Sequence, residues 1–126
     1  MTIRMFHEGE GASWPEVLAS APLLVLYKHS SACMTSSLAR AEIVALHKAM
    51  PELPLYQIDV IAERGLAHRI AGDLQIRHES PQVILVRDGR VLWHTSHFAI
   101  KTATLMSQIE RARRGQDAAA GHPQPA

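Results

Sequence analysis

The chain is short of cysteine, of net charge and of long apolar runs. Its 126 residues include one cysteine, which excludes an internal disulfide and fits a reducing compartment. A formal net charge of +1 provides no polybasic surface for nucleic acid or for a membrane. No apolar run approaches the roughly 18 residues that span a bilayer, and the first ten residues lack the basic-then-apolar order of a secretory signal. We therefore expect a soluble cytoplasmic protein with no nucleic-acid or membrane partner.

The chain has enough apolar sequence for a single core. An apolar fraction of 47% and a charged fraction of 20% are typical of a globular domain. Residues 115–126 are rich in Ala, Gly, Pro and Gln and have little to bury, so we expect a flexible tail there. We predict one domain over residues 12–114, preceded by an N-terminal segment of residues 1–11.

Apolar periodicity and turn residues predict the element order α-β-α-β-α-β-β-α. Ser13 and Glu16 form an S-x-x-E capping box at the start of a short helix, and Asp88-Gly89 predicts a tight hairpin. The predicted strands are 23–27, 55–60, 83–86 and 90–94, and the later helices end near Ala49, at Ala71 before Gly72, and at Arg114. In the helix ending at Ala49, the apolar positions that recur at helical spacing are Leu38, Ala41, Ala45, Leu46 and Ala49.

This order predicts an α/β fold. Strands separated by helices favour parallel pairs joined by right-handed crossovers, and the closing hairpin adds antiparallel strands. We expect a central mixed sheet with two βαβ-type parallel crossovers and a C-terminal β-hairpin, flanked by helices on both faces. This order of elements resembles that of the thioredoxin-like fold.

Cys33 is the candidate nucleophile because it lies between an apolar strand and a predicted helix. The free N–H groups and the dipole at a helix N-terminus favour a thiolate over a thiol. Ser36 occupies the place of the second thiol in a two-cysteine redox site, and its hydroxyl can donate to the sulfur. The C-x-x-S pattern predicts a monothiol redox site, and the alternative is a buried structural cysteine.

Lys28 and His29 come shortly before the cysteine and can raise the positive potential at a thiolate. The alternatives are a solvated lysine at the end of a strand and a structural imidazole bonded to the backbone. His94 and His97 follow a strand with H-x-x-H spacing, but scattered histidines and one cysteine offer no zinc-finger spacing. We expect no metal there; Trp93 packs against the last helix, and the two histidines fix the loop by hydrogen bonds.

Three motifs resemble the YtxJ family of monothiol bacilliredoxin-like proteins, a branch of the thioredoxin superfamily. They are Tyr-Lys-His-Ser-Ser-Ala-Cys-Met-Thr-Ser at 27–36, His-Glu-Ser-Pro-Gln at 78–82 and Trp-His-Thr-Ser-His at 93–97, and the resemblance covers about residues 12–112. Two departures stand out. Met34 occupies a position where family members often have proline, and Tyr27 occupies the position of the buried acid of many thioredoxins.

The resemblance implies a cis peptide bond before Pro81, beside the catalytic thiol, which leaves the Ser80 backbone free to pair with an extended substrate. Glu79 is then placed to bind a cationic or amine group of a small thiol; otherwise it is an exposed turn acid. The resemblance also implies bacillithiol as thiol co-substrate, with no tightly bound cofactor. The partners it implies are bacillithiolated client proteins and a second small thiol or a reductase that restores Cys33.

The leading hypothesis is a monothiol thiol-disulfide oxidoreductase in which Cys33 removes bacillithiol from protein mixed disulfides. One alternative is a noncatalytic thioredoxin-like module that binds a peptide or senses redox state. A third hypothesis is iron-sulfur handling, as in some monothiol glutaredoxins. It ranks last because the chain has Cys-Met-Thr-Ser in place of Cys-Gly-Phe-Ser and lacks their glycine pair.

Overall fold

The computed structural model describes residues 3–6, 13–32 and 34–115, and these form a five-stranded mixed sheet with helices on both faces. The sheet order is β1-β3-β2-β4-β5, in which β1, β3 and β2 are parallel and β4 and β5 are antiparallel to their neighbours. The strands are β1 Arg4–Met5, β2 Leu23–His29, β3 Leu55–Asp59, β4 Gln82–Arg87 and β5 Arg90–Ser96. The helices are α1 Trp14–Ala19, α2 Met34–Ala49, α3 Arg64–Leu74 and α4 Thr102–Arg113, with a short 3-10 turn at His97–Ala99.

Two apolar layers hold this arrangement together, one on each face of the sheet. Helices α2 and α4 pack on one face through residues such as Ile43 and Ile109, with Trp93 among them. Helices α1 and α3 pack on the other face through residues such as Val17 and Ile70. The α/β fold with helices on both faces is therefore confirmed. Within the described part of the chain, no helix is both long and apolar enough to cross a membrane.

Local signals at two turns are confirmed. The side chain of Ser13 accepts from the Glu16 backbone N–H while the Glu16 carboxylate accepts from the Ser13 N–H, which completes the capping box of α1. The β4–β5 hairpin turns at Asp88 and Gly89, whose φ angles of 50° and 78° lie in the left-handed region. Asp and Gly tolerate that conformation, so the hairpin forms where the dipeptide predicts it.

The predicted apolar face of α2 is wrong except at Leu46, because the other four predicted positions are exposed. The buried positions of this helix are Ser36, Ala39, Ile43 and Leu46, whereas Leu38 is 58% exposed. Alanines lie on several sides of this helix and are too small to define its buried face. The larger side chains of Ile43 and Leu46 therefore determine which side is buried. The rotation of the helix brings Ser36 inward and leaves Leu38 on the surface.

The predicted end of α3 is also wrong. The helix continues through Gly72 to Leu74, and its left-handed cap is Gln75, with φ of 55°. The Ile76 N–H then bonds to the Ala71 carbonyl at 3.0 Å, which closes the helix end. A glycine is the usual left-handed cap, but here the buried Leu74 extends the helix beyond it.

The predicted parallel crossover from β3 through α3 to β4 is wrong, because β4 runs antiparallel to β2. Residues 76–81 contain no helix or strand, and six extended residues reach roughly 20 Å. This segment carries the chain back to the C-terminal end of β2, where Gln82 lies opposite Lys28. Pro81 therefore comes to the same end of the sheet as the start of α2.

Strand β1 was missed by the sequence reasoning, which predicts no strand before residue 12. Arg4 and Met5 pair with β3, and the next residue, Phe6, is buried against Trp14 with ring centroids 6.4 Å apart. A strand of two residues has no periodicity to detect. Its backbone pairing and the burial of Phe6 come from tertiary contacts.

Candidate active site at the start of helix α2

The candidate site lies at the end of the sheet where β2 stops and β4 begins. Cys33 itself lies outside the described residues, and side chains on either side of it in sequence define the site. Helix α2 begins at Met34, directly after Cys33, and Met34 is 84% exposed. At the same end of the sheet, Lys28 of β2 lies opposite Gln82, the residue after Pro81.

Ser36 is the third residue of α2 and is fully buried. Its Oγ accepts a hydrogen bond of 3.1 Å from the Ser30 backbone N–H, which ties the loop after β2 to the first turn of the helix. This bond uses a lone pair of the oxygen, and the hydroxyl proton remains a donor for a neighbouring group. The donation of this proton to the Cys33 sulfur stays a prediction.

Tyr27 occupies the position of the missing buried acid, and its hydroxyl connects two elements of the site. It donates to the Ser36 carbonyl at 3.1 Å and lies 2.8 Å from Nδ1 of His29. Because a phenol has one proton, a hydroxyl that donates to the carbonyl must accept from His29. The geometry thus assigns the proton of a neutral His29 to Nδ1 and its lone pair to Nε2.

The structure does not support His29 as a source of positive potential. Burial lowers the pKa of His29, the nearby Arg40 charge lowers it further, and Asp59 opposes these effects in part. The imidazole therefore favours its neutral form at neutral pH. Within residues 3–6, 13–32 and 34–115, the His29 ring bonds to the Tyr27 hydroxyl rather than to the backbone.

Lys28 is fully buried, so the expectation of a solvated lysine at the end of a strand is wrong. Its Nζ donates to Oε1 of Gln82 at 2.8 Å. Burial lowers the pKa of Lys28 to about 8, and the Glu79 charge partly offsets this effect. At neutral pH the side chain is still a cation, enclosed in the protein.

The loop before β4 carries the other predicted residues. The Ser80–Pro81 peptide bond is cis. The Pro81 carbonyl accepts from the His97 N–H at 3.0 Å, and Glu79 accepts from the Ser96 hydroxyl at 3.1 Å. Glu79 is half-buried and oriented by this contact, so it is not simply an exposed turn acid.

His94, within β5, and His97, just after it, have different surroundings. His94 is buried, whereas His97 is exposed and holds the loop through its backbone, with a left-handed φ of 55°. Trp93 is buried in the layer that includes α4, as predicted. In residues 3–6, 13–32 and 34–115, no group of three or more His, Cys, Asp or Glu side chains could hold a metal ion.

Gln82 is the residue that sequence reasoning missed. It is fully buried, accepts from Lys28 through Oε1 and donates to the Arg77 carbonyl at 3.0 Å through Nε2. A polar residue directly before the apolar run of β4 was the available signal. Its meaning depends on the antiparallel register with Lys28, which the sequence did not reveal.

Solved structures with a similar backbone are thioredoxin-like proteins. A candidate oxidoreductase with a thioredoxin fold matches with a TM-score of 0.74 and 23% identity, covering 82% of this chain and 90% of that protein. Thioredoxin f2 from Chlamydomonas reinhardtii matches with a TM-score of 0.68 and 16% identity, covering 89% of this chain and 97% of that one. Fasciola hepatica thioredoxin matches with a TM-score of 0.61 and 18% identity, over 77% and 88%. At these identities the matches establish the thioredoxin fold alone.

The family comparison extends this result. The family model described as monothiol bacilliredoxin BrxC matches residues 11–105. The matched range contains all three motifs, at 27–36, 78–82 and 93–97. Together with the thioredoxin fold, the match supports a thiol redox function. The resemblance found in the sequence is thereby confirmed, and the chain belongs to the monothiol bacilliredoxin family.

Proposed function

We propose that this chain is a monothiol thiol-disulfide oxidoreductase that removes bacillithiol from protein mixed disulfides through Cys33. One observation carries the proposal: in sequence the single cysteine directly precedes Met34, where α2 begins, and the β2 residue Lys28 pairs with Gln82, the first residue of β4. A thiolate at a helix N-terminus is stabilised by free backbone N–H groups and the helix dipole. The small thiol and the cytoplasmic location are part of the proposal and rest on family membership.

The reaction consists of two thiol-disulfide exchanges. In the first, the Cys33 thiolate attacks the bacillithiol sulfur of the client mixed disulfide. The S–S bond breaks, the client leaves as a thiolate that takes a proton from solvent, and Cys33 now carries bacillithiol. In the second, the thiolate of another bacillithiol attacks that sulfur, which releases bacillithiol disulfide and the Cys33 thiolate. Ser36 has no thiol, so the second exchange requires this external thiol or a reductase.

The described residues have distinct roles in this scheme. Ser36 donates its hydroxyl proton to the Cys33 thiolate while Ser30 holds its oxygen in place. The Ser80 backbone pairs with the client in extended conformation, and Glu79, oriented by Ser96, receives the amine of the small thiol. Neutral His29 has its lone pair on Nε2 and can accept a proton there from an entering thiol. Hydrogen bonds hold Ser36, Glu79 and His29 in place for these roles.

Kinetics of client release test the proposal. A client protein with one bacillithiol mixed disulfide is mixed with the wild-type protein and excess bacillithiol, and free client thiol is followed over time. Cys33→Ser should reduce release to the rate of bacillithiol alone. Ser36→Ala should slow it roughly tenfold, which corresponds to the loss of one hydrogen bond to a charged group. Ser37→Ala, at the exposed neighbouring position, is the matched control. A Cys33→Ser protein that releases client as fast as wild type would contradict the proposal.

A noncatalytic peptide-binding module is the second candidate, and exposed apolar side chains favour it. Leu38 is 58% and Phe98 is 69% exposed, and both border a cleft of about 150 Å³ between α2 and the 3-10 turn. Such a surface suits an apolar peptide with or without catalysis. The kinetic test separates the two candidates, because a binding module would bind client while leaving its mixed disulfide intact.

A further inference from the structure

Lys28 is buried in this site, and the proposed chemistry gives no reason for its burial. Its side chain is completely enclosed, and the hydrogen bond of its Nζ goes to a neutral amide. Burying a cation without a bonded carboxylate is costly. Among the described residues, the charged and titratable groups that act on it through space are Glu79 and His78. His78 in turn contacts His68 of α3, with ring centroids 4.7 Å apart.

Lys28 does not face the helix that follows Cys33. Side chains alternate along a strand, and in β2 the residues Val25 and Tyr27 pack in the layer of α2 and α4. Leu24 and Leu26 pack in the layer of α1 and α3, so Lys28 continues that second series. The sheet therefore separates its ammonium group from α2. This placement argues against direct stabilisation of a thiolate at the start of α2.

Lys28 instead fixes the orientation of the Gln82 amide. An ammonium group can only donate hydrogen bonds, so it holds Oε1 of Gln82 towards β2. The amide NH₂ group must then point the other way, where it donates to the Arg77 carbonyl at 3.0 Å. This second bond closes a ring across residues 77–82. The ring contains Glu79 and the cis bond between Ser80 and Pro81.

We infer that Lys28 is a positioning residue for the substrate-recognising loop, residues 77–81, which it holds through the Gln82 amide. The inference rests on the proposed function, because the loop matters if Ser80 pairs with a client. Two further contacts pin the same loop from the other side: Ser96 donates to Glu79, and His97 donates to Pro81. Without the bond from Lys28 to Gln82, the loop stays attached at those two points, but the end held by the bond from Gln82 to the Arg77 carbonyl is free to move.

Three variants test the inference. Lys28→Met keeps the length of the side chain and removes the donor. Gln82→Glu keeps a partner for Lys28, as a buried ion pair, and removes the donor to the Arg77 carbonyl. Lys48→Met, at an exposed position of α2, is the matched control. Melting curves establish that each variant is folded, and if Lys28→Met does not fold, Gln82→Glu decides the question alone.

Three readouts separate positioning from other roles. For a bacillithiolated client peptide, KM should rise roughly tenfold in Lys28→Met and Gln82→Glu with a much smaller change in kcat. The reason is that a displaced binding loop weakens client binding more than it slows the chemical step. The pH profile of Cys33 alkylation by iodoacetamide should match that of wild type. Amide hydrogen exchange of residues 76–81 should be faster in both variants and unchanged in Lys48→Met.

The outcomes are distinguishable. Unchanged KM and unchanged hydrogen exchange in Gln82→Glu would overturn the inference, and so would a shifted alkylation profile at unchanged KM, which would mean that Lys28 acts on the thiol. If the wild type fails to exchange with any bacillithiolated client, the proposed function fails. In that case hydrogen exchange of residues 76–81 still decides whether Lys28 holds the loop.

Discussion

Tyr27 and Lys28 are neighbours on β2, yet they lie on opposite faces of the sheet and their polar atoms are satisfied in different ways. On the α2 side, the Tyr27 hydroxyl joins His29 to the Ser36 carbonyl, and the groups in this set are neutral. On the α1 and α3 side, a buried cation bonds to one amide that reaches back to a loop. The first set stabilises the start of the helix after Cys33, and the second holds the loop that faces it.

The largest expected effect is a rise in stability at alkaline pH that depends on Lys28. The pKa of Lys28 is about 8 in the folded protein and near 10.4 in an unfolded chain. Between these values the unfolded state binds more protons, so the free energy of unfolding increases with pH, by about 3 kcal/mol in total. Urea unfolding of wild type and Lys28→Met from pH 7.5 to about 10.5 measures it. A parallel pH dependence in the variant would show that Lys28 is not the group responsible.

Tyr27→Phe should cost about 2 kcal/mol of unfolding free energy, because it removes a buried hydroxyl that serves two partners. Urea unfolding at pH 7 provides the measurement. Tyr56→Phe is the matched control, since its hydroxyl bonds to Arg4 and Ser20 at an exposed site. Equal losses in the two variants would mean that the Tyr27 hydroxyl has no special place in the site.

Ser36→Ala should lower the unfolding free energy by about 1 kcal/mol, because the Ser30 N–H loses its acceptor in a buried position. The neighbouring Ser37→Ala, on the exposed side of α2, should change it by less than about 0.5 kcal/mol. Thermal melts of both variants at pH 7 are sufficient to compare them. An unchanged unfolding free energy in Ser36→Ala would contradict the hydrogen bond between Ser36 and Ser30.

The smallest expected effect concerns acid pH. Burial lowers the pKa of both His29 and His78 in the folded protein. As the pH falls below the ordinary histidine value of about 6.5, the unfolded state takes up protons first and the folded state loses stability. His29→Asn retains a donor to Tyr27 and cannot titrate, so its stability should fall less between pH 7 and 5. His97→Asn, at an exposed side chain, should follow wild type.

Local signals predicted much of the fold. The capping box of α1 and the Asp88–Gly89 turn depend on residues close in sequence, and both formed where they were expected. The order of helices and strands was also recovered from residue 13 onwards. The motif around Pro81 was identified from sequence together with its family, and the structure has the cis bond there.

Features that depend on tertiary contacts were not predictable in the same way. The buried face of α2 is chosen by Ile43 and Leu46 packing against the sheet, while its many alanines fit either side. The burial of Lys28 follows from the antiparallel register that places Gln82 opposite it. A lysine at the end of an apolar strand is ordinarily solvated, and only the register shows that its partner is an amide inside the protein.

The intact mass of the protein after a single turnover tests the central claim most directly. Wild-type protein and an excess of a bacillithiolated client are mixed without free bacillithiol and quenched with acid. Their intact masses are then measured by mass spectrometry. We predict that the protein gains the mass of one bacillithiol less two hydrogens, that an equimolar part of the client loses the same mass, and that Cys33→Ser gains nothing. A client that keeps its bacillithiol while the wild-type mass stays unchanged would contradict the assignment of Cys33 as the residue that accepts the small thiol.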